Sequence, residues 1–342
     1  MRKPLPNSRP DQPRHSLKDA VAVVAGATRG AGRGIARALG EAGAVVYCTG
    51  RSVHGNPSPY QRPETIEETA GLITAAGGAA IPLRVDHTVE AEVEALFERV
   101  ARGHGRLDVL VNSVAGEDPM MSQWASFWKT DLHNADAILR QALVSHIITT
   151  KHAAPLMMQK RHGLVVEVTE NDLLLAGGNV ITQVVKFAQK ALATIFAAEL
   201  RKHGVAAVAI TPGFLRSERM LEHFGVTEET WRDAGKKDKN FLESESPLFV
   251  GRAVVALAQD PKILERSGQL FSSWEVGRQY RLNDVDGRRP DWGRLDIDYS
   301  GLPKSLIEEM GDALEVQEAW LKLLSRRTSR YRASFLTSTS NS

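Results

Sequence analysis

Only one cysteine, Cys48, occurs in 342 residues, so no disulfide can close within the chain and no cysteine-based zinc site can be assembled. Tyrosine is almost as scarce: there are five, and none lies between Tyr60 and Tyr280. A dominant charge is missing too. Lys and Arg number 43 against 41 Asp and Glu, a net +2, so neither a nucleic-acid nor a membrane partner is expected. No run of about 18 apolar residues occurs, and no transmembrane helix is expected. Residues 1–17 are rich in Pro, Arg and Asn and lack an apolar stretch, which reads as a flexible arm on a cytoplasmic protein rather than a secretory signal. The ten histidines are scattered, none in a His-x-x-x-His pair beside an acid, so no metal is expected.

What is present is a regular alternation. Apolar, β-branched runs at 20–25, 44–48, 80–85, 107–111, 164–168, 205–210 and 269–272 lack polar alternation, as strands covered on both faces do. Helical patterns follow at 32–42, 64–76, 89–102, 135–160, 180–202, 247–258 and 304–324. This order predicts an α/β fold: one Rossmann-type, doubly wound parallel sheet of about seven strands, helices on both faces, and a C-terminal helical extension. The domain is expected over 18–291, with a substrate-loop insertion at 214–246 and a helix with a frayed tail at 292–342. Loops at 52–62, 117–134 and 214–246 break the rhythm after strands, where such sheets bind ligands.

The first strand runs into Gly26-Ala27-Thr28-Arg29-Gly30-Ala31-Gly32 and then a helix. A pyrophosphate needs close backbone approach and free N–H donors at a helix N-terminus, and glycines between strand and helix supply both. After the second strand, where an acid would bind a ribose 2′-hydroxyl, the chain reads Thr49-Gly50-Arg51-Ser52. Arg51 and Arg29 would favour a 2′-phosphate, so the expected cofactor is NADP(H).

The spacing Gly26-x-x-x-Gly30-x-Gly32 resembles that of the short-chain dehydrogenase/reductase family, over roughly residues 18–274. Asp86 follows the third strand, and Asn112-Ser113-Val114-Ala115-Gly116 the fourth, similar to the family's Asn-Asn-Ala-Gly. Pro212-Gly213-Phe214-Leu215-Arg216-Ser217 resembles its Pro-Gly segment. The resemblance implies that Gly26, Thr28, Arg29, Gly30, Gly32, Arg51, Ser52, Asp86, Asn112, Lys186, Pro212, Gly213 and Ser217 line the cofactor. In that reading Asp86 meets the adenine and Ser217 the nicotinamide carboxamide. It also implies a homodimer or homotetramer through the helices at 135–160 and 180–202.

The family protonates an alkoxide with a tyrosine whose pKa a lysine lowers, assisted by a serine and an asparagine. Here Lys186 matches the lysine, but the tyrosine slot four residues earlier holds Thr182. The serine slot holds Glu170, or Thr169 if the register slips by one, and the asparagine slot falls near Ala142, beside Gln141. Three readings follow. The first is an oxidoreductase with a substitute proton donor: Glu170, if apolar walls keep it neutral, or else Lys186 or His146. The second is non-redox chemistry with Glu170 as base. The third is a catalytically silent subunit. Trp124, Trp128 and Phe214 are expected to wall an apolar small-molecule substrate pocket.

Overall fold

The computed structural model describes residues 17–57, 62–115, 127–170 and 179–294. Seven parallel strands form one sheet: β1 (Val21–Ala25), β2 (Val45–Gly50), β3 (Ala79–Arg84), β4 (Val109–Asn112), β5 (Gly163–Val168), β6 (Val205–Thr211) and β7 (Leu270–Ser272). Their order is β3-β2-β1-β4-β5-β6-β7. The order reverses between β1 and β4, and a crevice opens at such a switch point, beyond the strands' carboxyl ends.

Adjacent residues of one strand serve opposite layers, which explains the unbroken apolar runs. On β1, Ala22 and Val24 pack toward helices α1 (Gly30–Glu41), α2 (Ile66–Ala75), α8 (Pro247–Ala258) and α9 (Ser273–Tyr280). Val21 and Val23 pack toward α3 (Glu90–His104), α5 (Ser145–Lys160) and α6 (Val180–Leu200). Each layer is a continuous apolar cluster. The edge strand β3 departs from the expectation of double cover: its residues are half-buried or exposed, and it carries Pro82, which an edge tolerates because no ladder N–H is lost.

One sequence expectation needs revision. The helix expected at 135–160 is not continuous. It is α4 (Ala135–Leu139), a π-turn over Arg140–Val144, then α5. The widened turn is stitched from outside, with Gln189 Nε2 donating to the Ala142 carbonyl at 2.9 Å and Ser145 Oγ to the Gln141 carbonyl. Trp292 packs edge-to-face on Phe214 at 5.6 Å. Residues 214–246, expected as a substrate-loop insertion, build α7 (Glu218–Phe224), 3₁₀ turns and a small core of Phe224, Trp231, Ala234 and Phe241. The helix expected at 304–324 lies outside the described residues.

By length and composition, one described helix, Val180–His203, is apolar enough to cross a membrane, which the run-length criterion had not flagged. In this fold its buried residues, among them Val185, Leu192, Ala193 and Leu200, lie within the packed structure, as those of a core helix do.

Candidate nucleotide and catalytic site

The glycine turn is built for contact without side chains. A Cβ on Gly32 would sit 2.0 Å from the Gly26 carbonyl oxygen, and one on Gly26 would sit 2.6 Å from the Ser113 carbonyl oxygen. Gly26 (φ +85°) and Gly30 (φ +54°) also adopt the left-handed region. The turn is held from behind by Arg33, absent from the sequence reading, which is buried in the first turns of α1. Its Nε donates to the Thr28 carbonyl at 3.0 Å and to Thr69 Oγ1, and its Nη2 pairs with Glu68 at 2.7 Å.

Ser217 caps α7, its Oγ accepting from the Met220 N–H, and its Cβ lies 3.7 Å from where a Gly30 Cβ would stand. The N-termini of α1 and α7 therefore meet. Glu218 enters this junction, accepting from the Gly30 N–H at 2.8 Å, with Arg33 Nη1 3.4 Å away.

Toward the expected adenine end, Arg51 Nη2 donates to Gln141 Oε1 at 2.6 Å and Nη1 lies 3.8 Å from Asp86. Burial would raise the Asp86 carboxyl, but hydrogen bonds from Thr88, with Arg51 beside it, hold it below the usual carboxylate range. Arg29 stands at the N-cap position of α1 and exerts its charge on Glu64, so the two arginines face different acids. Ser52 and Thr28 are buried, their carbonyls fixing Ile66 and Arg33.

At the far end, Asn179 caps α6 through the N–H groups of Ile181 and Thr182. This fixes Thr182 one turn before Lys186. The Thr182 hydroxyl is buried and has no hydrogen-bond partner among the described residues. Lys186 is 5% exposed, its Nζ 3.3 Å from Glu170, and its carbonyl accepts from Thr169 Oγ1 at 3.1 Å. The Glu170 side chain is 64% exposed. Among the described residues, apolar walls do not enclose it.

His146 is fully engaged rather than free: Nδ1 contacts Glu167 Oε2 at 2.6 Å and Nε2 the Val114 carbonyl at 2.9 Å. Glu167, buried near the carboxyl end of β5, also accepts from Asn112 Nδ2 at 2.6 Å across the β4–β5 ladder. The sequence reading missed Glu167, though an acid inside an apolar strand was a visible signal. It also missed His87, which bridges Thr49 and Thr149 and is pulled down to about 3 by burial, with His146 nearby adding to the effect.

The expected pocket walls divide. Trp124 lies outside the described residues. Trp128 is 71% exposed and meets Phe127 edge-to-face. Phe214 packs inward on Phe241 at 5.0 Å, as part of the core of 214–246. Pro212 and Gly213 follow β6, and the Gly213 N–H donates to Glu245.

Residues 20–225 match the family model described as short chain dehydrogenase. The chain belongs to the short-chain dehydrogenase/reductase family. Over 277 residues it is 40% identical to mouse (Mus musculus) dehydrogenase/reductase SDR family member 1, spanning 80% of this chain and 85% of that protein. A metagenomic short-chain oxidoreductase crystallised in complex with NADP superimposes with a TM-score of 0.54 at 25% identity, covering 72% of this chain and 93% of the other. A structure from Sinorhizobium meliloti, assigned as a short-chain alcohol dehydrogenase, gives a TM-score of 0.61 at 24% identity over 76% and 97% of the two chains and shows the shared fold.

The residues present fit a dinucleotide. The Gly26–Gly32 crossing leaves no room for a Cβ, and two buried polar atoms near the strand ends, Asn112 Oδ1 and Thr182 Oγ1, have no partner among the described residues.

Proposed function

We propose that this protein is an NADP(H)-dependent oxidoreductase acting on a bulky, largely apolar carbonyl or alcohol, with a proton relay that differs from the family's tyrosine. The observation that carries this reading is the buried Lys186 ammonium, 3.3 Å from Glu170 and one helical turn from the Thr182 hydroxyl, which has no hydrogen-bond partner among the described residues. The turn Gly26–Gly32 would hold the pyrophosphate, Arg51 and Arg29 the 2′-phosphate, and Pro212, Gly213 and Ser217 the nicotinamide end.

The reduced nicotinamide supplies the hydride, and the substrate oxygen then needs a proton. A threonine hydroxyl is too weak an acid to be that source, but it can accept one proton as it donates another. In this reading Lys186 holds the proton and Thr182 passes it to the substrate oxygen. Glu170, solvent-facing and ion-paired to Lys186, restores it. Burial of the ammonium makes its charge effective against a developing alkoxide. The chain is proposed to act in the cytoplasm as a homodimer or homotetramer, with exposed apolar Ile147 on α5 and Val184, Phe187 and Ile195 on α6 as the contact.

The test is NADPH oxidation against a panel of apolar ketones and aldehydes, with a cofactor-bound structure beside it. Glu170→Gln is expected to lower turnover by about 10²-fold or more, the usual reach of a proton-transfer group. Undiminished turnover in that variant removes Glu170 from the relay. A bound nicotinamide ring turned toward solvent would refute hydride transfer.

A further inference from the structure

A second set of buried acids adjoins the Pro212–Gly213 segment. Glu245, at the end of the 214–246 insertion, is fully buried. Its Oε2 accepts from the Gly213 N–H at 3.0 Å and from Ser273 Oγ at 2.5 Å, while Oε1 is buried with no partner among the described residues. The backbone repeats the connection. Glu245 N–H donates to the Phe214 carbonyl at 2.9 Å, and Arg216 N–H donates to the Glu245 carbonyl at 2.8 Å. Gly213 is clasped so closely that a Cβ there would stand 3.1 Å from Glu245 Oε2 and 3.0 Å from Trp292 Cβ.

Glu245 therefore joins three pieces: the Pro-Gly segment, the start of α9 at Ser273, and the closing end of the insertion. The charged groups around it are few. Asp284, fully buried, accepts from Ser246 N–H at 2.8 Å and from Ser246 Oγ, and pairs with Arg216 at 3.3 Å. Arg216, also buried, divides its charge between Asp284, Glu228 at 3.0 Å and the Ser244 carbonyl. One guanidinium thus faces two acids besides Glu245.

We propose that Glu245 is a positioning residue for the nucleotide site, holding the Gly213 amide so that the Pro212–Gly213 segment forms the floor of the nicotinamide end. The proposal rests on the nucleotide reading above. Burial, with Asp284 adding to it, pushes the Glu245 carboxyl up to about 8. The Gly213 amide and the Ser273 hydroxyl oppose that rise, since an ionised carboxylate accepts from both more strongly than a neutral acid does. Burial outweighs them: above about 8 a second, desolvated negative charge stands beside Asp284 with a single shared arginine, and the closed arrangement around Gly213 is the less stable for it.

The experiment uses the full chain and NADPH as probe, titrated by fluorescence between pH 6.5 and 9.5, with circular dichroism confirming the fold at each pH. Wild type is expected to lose about five-fold or more in NADPH affinity between pH 7 and pH 9. Glu245→Gln, which keeps the acceptor oxygen and cannot ionise, should bind as wild type at pH 7 and lose little by pH 9. Glu245→Leu should bind weakly throughout. If that variant does not fold, the Gln variant decides alone. In ¹⁵N-glycine spectra without cofactor, the Gly213 amide should titrate near pH 8 in wild type and stay still in Glu245→Gln. Superimposable pH profiles for wild type and Glu245→Gln, or a Gly213 amide that does not titrate, would overturn the proposal while leaving nucleotide binding intact. Absence of NADPH binding at every pH would instead sink the nucleotide reading beneath it.

Discussion

The Gly30 N–H donates to the Glu218 carboxylate at 2.8 Å, so an acid from the first turn of α7 sits on a first amide of α1. That amide belongs to the turn a pyrophosphate needs, and the two anions would compete for it. Glu218→Gln is expected to bind NADPH about two- to ten-fold more tightly, the range that one charge at a helix N-terminus allows. Titration of both proteins at one ionic strength checks it, and equal affinities would show that the carboxylate and the cofactor do not share the site.

Two glycines to alanine should act in opposite directions. In Gly32→Ala the new methyl would lie 2.0 Å from the Gly26 carbonyl oxygen, a contact that only displacement of α1 from the turn relieves. Nucleotide binding should be lost and the melting temperature lowered. At Gly71, inside α2, a Cβ meets nothing within 4 Å, and Gly71→Ala should add about 0.4–1 kcal/mol through the unfolded chain's lost freedom. Thermal melts of the pair separate steric from entropic effects.

The Glu167–His146 contact makes a third test. Nε2 faces a carbonyl and must donate, so the Nδ1···Oε2 contact requires a further proton shared with Glu167. His146→Ala leaves a fully buried carboxyl with Asn112 alone, and should cost about 3–5 kcal/mol. Glu167→Leu with His146→Leu removes both polar groups and should recover much of that loss. Denaturant melts of the single and double variants measure the difference. A single variant as stable as wild type would contradict the assignment.

How much of this was legible depends on where each residue's partners lie. The inner strands could be read because doubly covered strands carry their burial in their own composition, as Val21–Ala25 does. The turn from Gly26 to Gly32 could be read because the steric demand is local. The π-turn at Arg140–Val144 could not, since the Gln189 amide that holds the Ala142 carbonyl comes from another helix. Nor could Arg33 or Glu245: a charge in a helix or loop looks solvent-facing until the chain supplies Thr69 or Gly213 from 36 or 32 residues away. The capping signals of α7 and α9, Ser217 with Gly225 and Ser272 with Glu275, were present and went unread.

His87 gives the fold an acid-side limit. Burial first, then the neighbouring His146, pulls its imidazole from 6.5 down to about 3, while Asp86 opposes the shift weakly. The native protein thus holds this ring neutral between Thr49 and Thr149, whereas the unfolded chain protonates it near pH 6.5. In the window between about 6.5 and 3 the unfolded state binds the extra proton, so stability is full above 6.5 and declines as pH falls toward 3. At about 1.4 kcal/mol per unit the loss amounts to a few kcal/mol. His87→Gln can still hydrogen-bond both threonines without titrating, and its stability should fall less over that window. The difference between the two urea-melt curves as a function of pH cancels the carboxylates common to both proteins. A difference that stays constant from pH 7 to pH 4 would show that His87 is not the group setting the limit.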